Sequence, residues 1–229
     1  MLQELAPSAA LRDWVDAFWH RPAADAGSHR VLPDGCADLL VDLSTGALSV
    51  VGTMTASMVI DGAHPELLGV RFRPGRAGAL LHTELQELTD LRVEIADQRL
   101  APRGDTLPEW IASLERELTR RASAAKADPR IDAAVARISR GGVSIDELAR
   151  ELSLTRQHLR RAFLAQVGVT PKTFARVMRF RRLLRSAESK RPPSWAALAV
   201  GLGYSDQSHL IAEFSEFAGT TPVPFFLSA

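Results

Sequence analysis

The sequence predicts an α+β N-terminal region, a small β-rich barrel or sheet with appended helices, followed by an all-α region in which one helical unit is used twice and joined by a long helix. Three observations predict it. Apolar residues come in short, partly β-branched runs before residue 75 and at three- and four-residue spacing after it. Helix-opening signals crowd the last hundred residues. Within that last stretch the sequence resembles itself at an interval of fifty. With 229 residues, 46% hydrophobic and 24% charged, the chain has enough apolar material for a packed core and lacks the composition of a disordered one.

In order along the chain, Trp14, Phe18 and Trp19 stand at helical spacing and suit a core or an interface. The stretch 21–28 mixes Pro and Gly with small polar residues and reads as loop. Strands are expected over 38–43, 47–51, 54–60 and 66–72, with Ser44, Thr45 and Gly46 as a hairpin loop between the first two. From Gly75 on, Ala77, Leu80, Leu81, Leu85 and Leu88 follow helical spacing. A second loop lies at 101–105. Thr106 with Glu109 three residues later forms a capping box, opening a helix to about residue 125. Its Leu107, Trp110, Ile111, Leu114 and Leu118 make an apolar stripe that either docks on its own domain or joins two copies of the chain. The division is a β-rich domain over 1–105, a connecting helix over 106–127 and an all-α domain over 128–229.

The all-α part is marked by its caps. Asp128 precedes Pro129, Ser144 pairs with Glu147 in a second capping box, Thr155 and Ser205 each cap a helix, and Thr170-Pro171 and Thr221-Pro222 repeat a proline-start pattern. Gly141-Gly142 closes the first of these helices. The repeat sets Leu148, Ala149, Leu152, Thr155 and Gln157 against Leu198, Ala199, Leu202, Ser205 and Gln207. After one inserted residue it resumes, with His158, Leu159, Phe163, Gly168, Pro171 and Phe174 matching His209, Leu210, Phe214, Gly219, Pro222 and Phe225. Each copy is a short helix, a tight turn and a hydroxyl-capped helix. A small residue (Ala149, Ala199) allows close crossing, and Leu and Phe four apart plug the core. That is a helix-turn-helix, over about 144–167 and again over 194–218, whose second helix suits a DNA major groove.

Charge supports the division. Residues 1–128 carry 13 basic and 19 acidic side chains, a net of −6; residues 129–229 carry 15 and 8, a net of +7. Such segregation marks the second half as the one that meets a polyanion. No apolar run is long enough to span a membrane and no charged leader precedes an apolar stretch, so a cytoplasmic protein without a membrane partner is expected. A single cysteine, Cys36, excludes an intramolecular disulfide and a thiolate-rich zinc site.

The double unit, the Thr170-Pro171 start of the joining helix and the stretch from Leu202 to Leu210, followed by Phe214 and Gly219-Thr220-Thr221-Pro222, resemble the AraC/XylS family of bacterial transcription regulators. The resemblance covers about 129–227 and implies a sequence-specific DNA-binding regulator rather than an enzyme, with no cofactor. It implies base contacts for Gln157, Arg160 and Arg161 and a phosphate contact for Arg156. Arginine forks match guanine and glutamine can pair with adenine, so that helix carries suitable chemistry in its own right. The second unit departs from the family, with Ala212 where an arginine is usual, followed by acidic Glu213, leaving Asp206, Gln207, Ser208 and His209. The first unit is therefore expected to dominate base reading. On the joining helix, Val177, Phe180 and Leu184 form an apolar stripe, while Lys172, Arg176 and Arg179 share another face suited to phosphates.

The N-terminal stretches 32–39 and 69–75 are similar to a poorly characterised domain found ahead of such DNA-binding halves, which brings no known ligand. As a sensor, its candidate residues lie around the Asp34-Gly35 turn: His29, Arg30, Asp34, Cys36 and Asp38, with Arg71 and Arg73 on a later strand. Each has a plain alternative as turn or core residue. Double-stranded DNA is the expected partner; RNA polymerase, a small-molecule effector and a second copy of the chain are further candidates. Two rival readings are an architectural DNA-binding protein that senses nothing and a metalloenzyme using His20, His29, Cys36 and Asp38, whose spacing fits no ligand pattern.

Overall fold

Strands β1 (Gln3–Leu5), β2 (Val15–Arg21), β4 (Ala37–Asp42), β5 (Leu48–Val51), β7 (Leu67–Phe72) and β8 (Arg92–Ile95) form one antiparallel sheet in the order β1-β2-β7-β4-β5-β8. The computed structural model describes residues 2–188 and 194–227. A separate two-stranded ribbon pairs β3 (Ser28–Val31) with β6 (Met58–Asp61). β4 and β7 lie at the centre of the sheet, pairing Leu39 with Val70 and Val41 with Leu68, all of them buried. Their near-continuous apolar sequences follow from that central place, since neighbouring strands and covering helices leave little of them wet.

Helix α1 (Ala77–Leu81) and helix α2 (Leu107–Ala124) close over the sheet. Leu114 and Leu118 of α2 join the same core as Phe18, Leu39, Val70 and Leu80, with Leu107, Trp110 and Ile111 packed against it. The α2 stripe is thus docked on its own domain. Buried Arg121 fastens it there, donating to Asp97 at 2.6 Å, to Glu117 at 2.8 Å and to the Leu80 carbonyl at 3.1 Å.

Three expectations for this half need correction. Trp14, Phe18 and Trp19 are not on a helix: Phe18 and Trp19 lie on β2, where Phe18 enters the core and Trp19 takes the other face. The run 54–60 yields strand only at Met58–Asp61, in the ribbon. The helical spacing after Gly75 is broken: α1 is five residues long and ends at His82 in left-handed backbone, a 3₁₀ turn follows at Leu85–Glu87, and β8 comes next. β8 borders the sheet with mostly exposed residues, and its alternation of Val93 and Ile95 with Arg92 and Glu94 spans only four residues.

The second half is helical throughout its described residues: α3 (Pro129–Arg140), α4 (Ile145–Glu151), α5 (Arg156–Val167), α6 (Pro171–Ala187), α7 (Trp195–Leu202), α8 (Gln207–Ala218) and α9 (Pro222–Leu227). The caps fall where the hydroxyl and acidic residues stand. Asp128, Ser144, Thr155 and Thr170 each accept a backbone N–H from the first turn of the helix they precede. The exception is α8, capped by Asp206 and not by Ser205: the Asp206 carboxylate accepts the His209 N–H at 2.8 Å. A single core runs through these helices, with Phe163 edge-on to Phe174 and Phe180 edge-on to Phe214, both pairs at 5.4 Å. Among the described residues, no helix is long and apolar enough to cross a membrane.

Candidate nucleic-acid interface and the cleft beside it

The first helix-turn-helix is α4 and α5. Ala149, 2% exposed, lets α5 cross α4 closely, and Leu159 and Phe163 of α5 are fully buried beneath it. The turn is tight: Ser153 takes left-handed backbone (φ 54°) and the Leu154 N–H donates to the Ala149 carbonyl at 2.9 Å. Thr155 Oγ1 then accepts the His158 N–H at 3.1 Å and starts α5. With one face sealed, Arg156, Gln157, Arg160 and Arg161 are exposed on the other. Arg156 pairs with Asp146 at 2.7 Å, but at 74% and 58% side-chain exposure that pair is weak and easily traded for a phosphate.

The second unit, α7 and α8, repeats the geometry with different chemistry. Ala199 and Leu198 are buried in α7, and Leu210 and Phe214 in α8. Asp206 is committed to its cap, and its carboxylate also accepts from Ser205 Oγ at 3.1 Å. His209 stands edge-on to Tyr204 at 5.3 Å, with Nδ1 3.1 Å from Ser205 Oγ. Gln207 and Ser208 are exposed at the start of the helix. This face offers amide, hydroxyl and imidazole groups and one carboxylate.

Arg176 and Arg179, expected to face phosphates, are turned to α8 instead. Glu213 is 3% exposed and receives Arg176 Nε at 2.8 Å together with Arg179 Nε at 2.9 Å and Nη2 at 2.6 Å. Arg176 also pairs with Glu216, and the two guanidiniums lie over the Phe217 and Tyr204 rings. Burial pushes the Glu213 carboxyl up, but the hydrogen bonds from Arg179 and Arg176 outweigh it and hold the group below its ordinary range. Glu213, the acidic residue that follows Ala212, is thus the clasp between α6 and the second unit. Of the three basic residues assigned to that face of the joining helix, Lys172 alone is exposed.

Among the N-terminal candidates, Asp34, Asp38 and Arg71 come together and His29 does not. Strand register sets Asp38 opposite Arg71. Arg71 lies 2.9 Å from Glu4, 3.4 Å from Asp34 and 4.0 Å from Asp38, while Asp38 also accepts Trp19 Nε1 at 2.8 Å. Burial, then the charge of Asp34, raises the Asp38 carboxyl to about 7 against the pull of Trp19 and Arg71. The adjoining Cys36 thiol is buried and pushed up by burial and the same carboxylates. His29 sits on β3 among Arg21 and His64, which with burial lower its pKa. No group of three or more His, Cys, Asp or Glu side chains fit to hold a metal exists among the described residues, and His20 is instead engaged with Glu66 at 2.7 Å.

Beside this closed cluster lies a cleft of about 450 Å³ between the two halves. Cys36 and Arg73 from the candidate set line it, with Asp16 on one wall and Asp132, Arg181 and Arg185 of α3 and α6 on the other. Arg73 donates to the Arg12 carbonyl, Arg76 bridges to Asp132 at 2.9 Å, and Arg181 donates to the Asp34 carbonyl at 3.1 Å. Sequence reasoning missed Arg76, Asp132 and Arg181 as a group, because nothing local announces that α3 and α6 meet the Asp34-Gly35 turn.

Comparison with known proteins matches residues 3–94 to a domain of unknown function (DUF6597) and residues 148–226 to a helix-turn-helix domain. No curated protein matches the chain. Among solved structures, ToxT from Vibrio cholerae is similar at 9% identity and TM-score 0.45, over 90% of this chain and 98% of that one. ToxT from strain SCE256 of the same organism, solved with an unsaturated fatty acid bound, is similar at 12% identity and TM-score 0.43, over 99% and 93%.

Proposed function

We propose that this chain, which carries an AraC-type helix-turn-helix domain over residues 148–226, is a transcription regulator that reads double-stranded DNA chiefly with α5 and is positioned on it by α8. The observation that carries the reading is the outer face of α5, where Gln157, Arg160 and Arg161 are exposed on a helix whose other face is buried. Each bidentate side-chain–base pair discriminates by about 1–3 kcal/mol, and α5 has three candidates for it. On α8 the first turn offers Gln207 and Ser208, and its acidic side chains Glu213 and Glu216 face α6. Lys172 and Arg156 supply phosphate contacts that add affinity without sequence preference.

Selection of bound DNA from a random pool, followed by titration of Arg160→Ala and Gln207→Ala on the selected site, tests this. Arg160→Ala is expected to weaken binding about 10- to 100-fold and relax one base position, with Gln207→Ala costing less. A larger loss from Gln207→Ala reverses the assignment of the two heads. Failure to retain any fragment at low salt removes the reading altogether. A repeated half-site in the selected pool indicates a second copy of the chain; a single asymmetric site indicates a monomer.

The cleft supports an effector role for the N-terminal half. A small molecule bearing an acidic group facing Arg181 and Arg185 and a cationic group near Asp16 would touch both halves at once. In this reading the partners are DNA, RNA polymerase and that effector, and the protein acts in the cytoplasm.

A further inference from the structure

A helix ends with carbonyls that its own ladder leaves without donors. In both reading helices, side chains of the N-terminal half meet those carbonyls. Thr53 Oγ1 donates to the Val167 carbonyl at 2.6 Å, and Thr89 Oγ1 donates to the Gly168 carbonyl, at the end of α5. The Arg30 guanidinium donates to the Ala218 carbonyl, at the end of α8, where a cation also suits the negative end of the helix dipole. Gly168 and Gly219 hold the same place in the repeated unit, and both take left-handed backbone, with φ of 89° and 69°. A side chain on either would intrude on the N-terminal half. A Cβ on Gly168 would lie 3.1 Å from the Leu85 carbonyl oxygen, and one on Gly219 would lie 2.9 Å from Arg30 Nη1.

The two attachments come from different parts of that half. Thr53 follows β5 and Thr89 follows the 3₁₀ turn, and the two are tied to each other by the Asp90 N–H donating to the Thr53 carbonyl. Arg30 belongs to β3, in the ribbon that stands outside the main sheet. On the other side, α6 packs against both α5 and α8. The heads are therefore linked twice, once through α6 and once through the N-terminal half.

We propose that Arg30, Thr53 and Thr89 are positioning residues for DNA reading: by holding the C-terminal ends of α5 and α8, the N-terminal half fixes the distance between the two heads, and displacement of the ribbon against the main sheet changes it. This rests on the reading of α5 and α8 as the DNA-facing helices, so the decisive measurement is made without DNA. Nitroxide labels are placed at Gln157→Cys and Gln207→Cys, one exposed position on each helix, in the full chain with Cys36, which lines the cleft, replaced by Ala. Pulsed electron resonance then reads the distance distribution between them. The parent gives one narrow peak. Arg30→Met, which keeps the aliphatic stem, and the double variant Thr53→Val with Thr89→Val each broaden it about twofold or add a second peak, as expected when a conformer loses the hydrogen bonds that favour it over its neighbours. Arg30→Lys, which keeps a charged donor, restores a narrow peak, a rescue that loss of packing alone would not produce. An unchanged width in both Arg30→Met and the threonine pair overturns the proposal.

A second arm uses DNA in which the subsites for the two heads are moved apart one base pair at a time. The parent is expected to prefer one spacing by about tenfold, and Arg30→Met by less than about threefold, with affinity for the best spacing nearly unchanged. If the labels respond and no DNA is retained, the positioning role stands and the DNA reading fails. If DNA is retained and the labels do not respond, the positioning role fails and the DNA reading stands.

Discussion

Glu213 is one side chain whose identity governs how the second head is held. It is buried, and its carboxylate is the acceptor for two guanidiniums from a helix 34 and 37 residues earlier in the chain. Glu213→Ala is expected to destabilise the fold by about 2 kcal/mol in chemical denaturation, since Arg176 and Arg179 would lose their acceptor while keeping some access to water. A change below half of that would remove the clasp argument. Asp38 is a second such residue, and its sign is opposite. With the folded carboxyl at about 7 and the ordinary value at 3.8, the folded chain holds a proton that the unfolded chain has lost throughout that interval. The stabilisation is complete below the lower value and is lost as pH rises through the upper one. Asp38→Asn is thus expected to flatten the stability profile between pH 4 and 7 and to stabilise the fold at pH 8, on the order of 1 kcal/mol. An unaltered slope counts against a raised Asp38. Neither role was legible locally. Glu213 stood out only as the residue after Ala212, where an arginine is usual, and Asp38 as one aspartate of a turn region, because the partners that define them arrive from other elements.

Helices announced themselves at their ends. Thr106, Asp128, Ser144, Thr155 and Thr170 were all readable as caps because each cap is satisfied within three residues, by the backbone of its own helix. Ser205 was the misreading, and the reason is physical: Asp206 offers a carboxylate one position closer to the His209 N–H. Melting temperatures separate the two. Asp206→Ala is expected to cost about 1 kcal/mol and Ser205→Ala less than half of that, with the reverse order restoring the serine as cap. Strands were less legible. β8 hid because its Val93–Ile95 alternation lasts only four mostly exposed residues, and the β2 aromatics fitted a helical spacing by coincidence while pairing across the sheet. On α5, Gln157, Arg160 and Arg161 were placed on the open face from spacing alone, since period 3.6 and one buried stripe suffice to say which side is left outside.

Across the whole molecule, the opposite charges of the two halves were countable, and the manner of their joining was not. Three of the contacts that fasten them connect residues 79, 114 and 188 positions apart, through hydroxyls and a guanidinium meeting carbonyl oxygens that every residue possesses. No composition or period encodes such a meeting. Two expectations belong at this scale. DNA affinity should fall steeply between about 50 and 200 mM salt, with a log–log slope near −0.9 per phosphate neutralised, and Lys172→Ala should reduce that slope by about one unit. A slope indifferent to Lys172 would take the joining helix off the DNA. For the cleft, a compound that binds there raises the melting temperature, and Arg185→Ala should abolish the rise while leaving DNA retention intact.

The ribbon of β3 and β6 has a consequence for how such a protein diversifies. It is only two strands wide and exposes Met58 and Val59 to solvent, so substitutions there meet few constraints from the rest of the fold. Yet it carries the guanidinium that reaches the far head. On the proposed positioning role, mutations in this tolerant segment would retune which arrangements of operator are accepted while the side chains assigned to bases stay the same, giving a lineage a way to explore new promoters without rewriting its recognition alphabet.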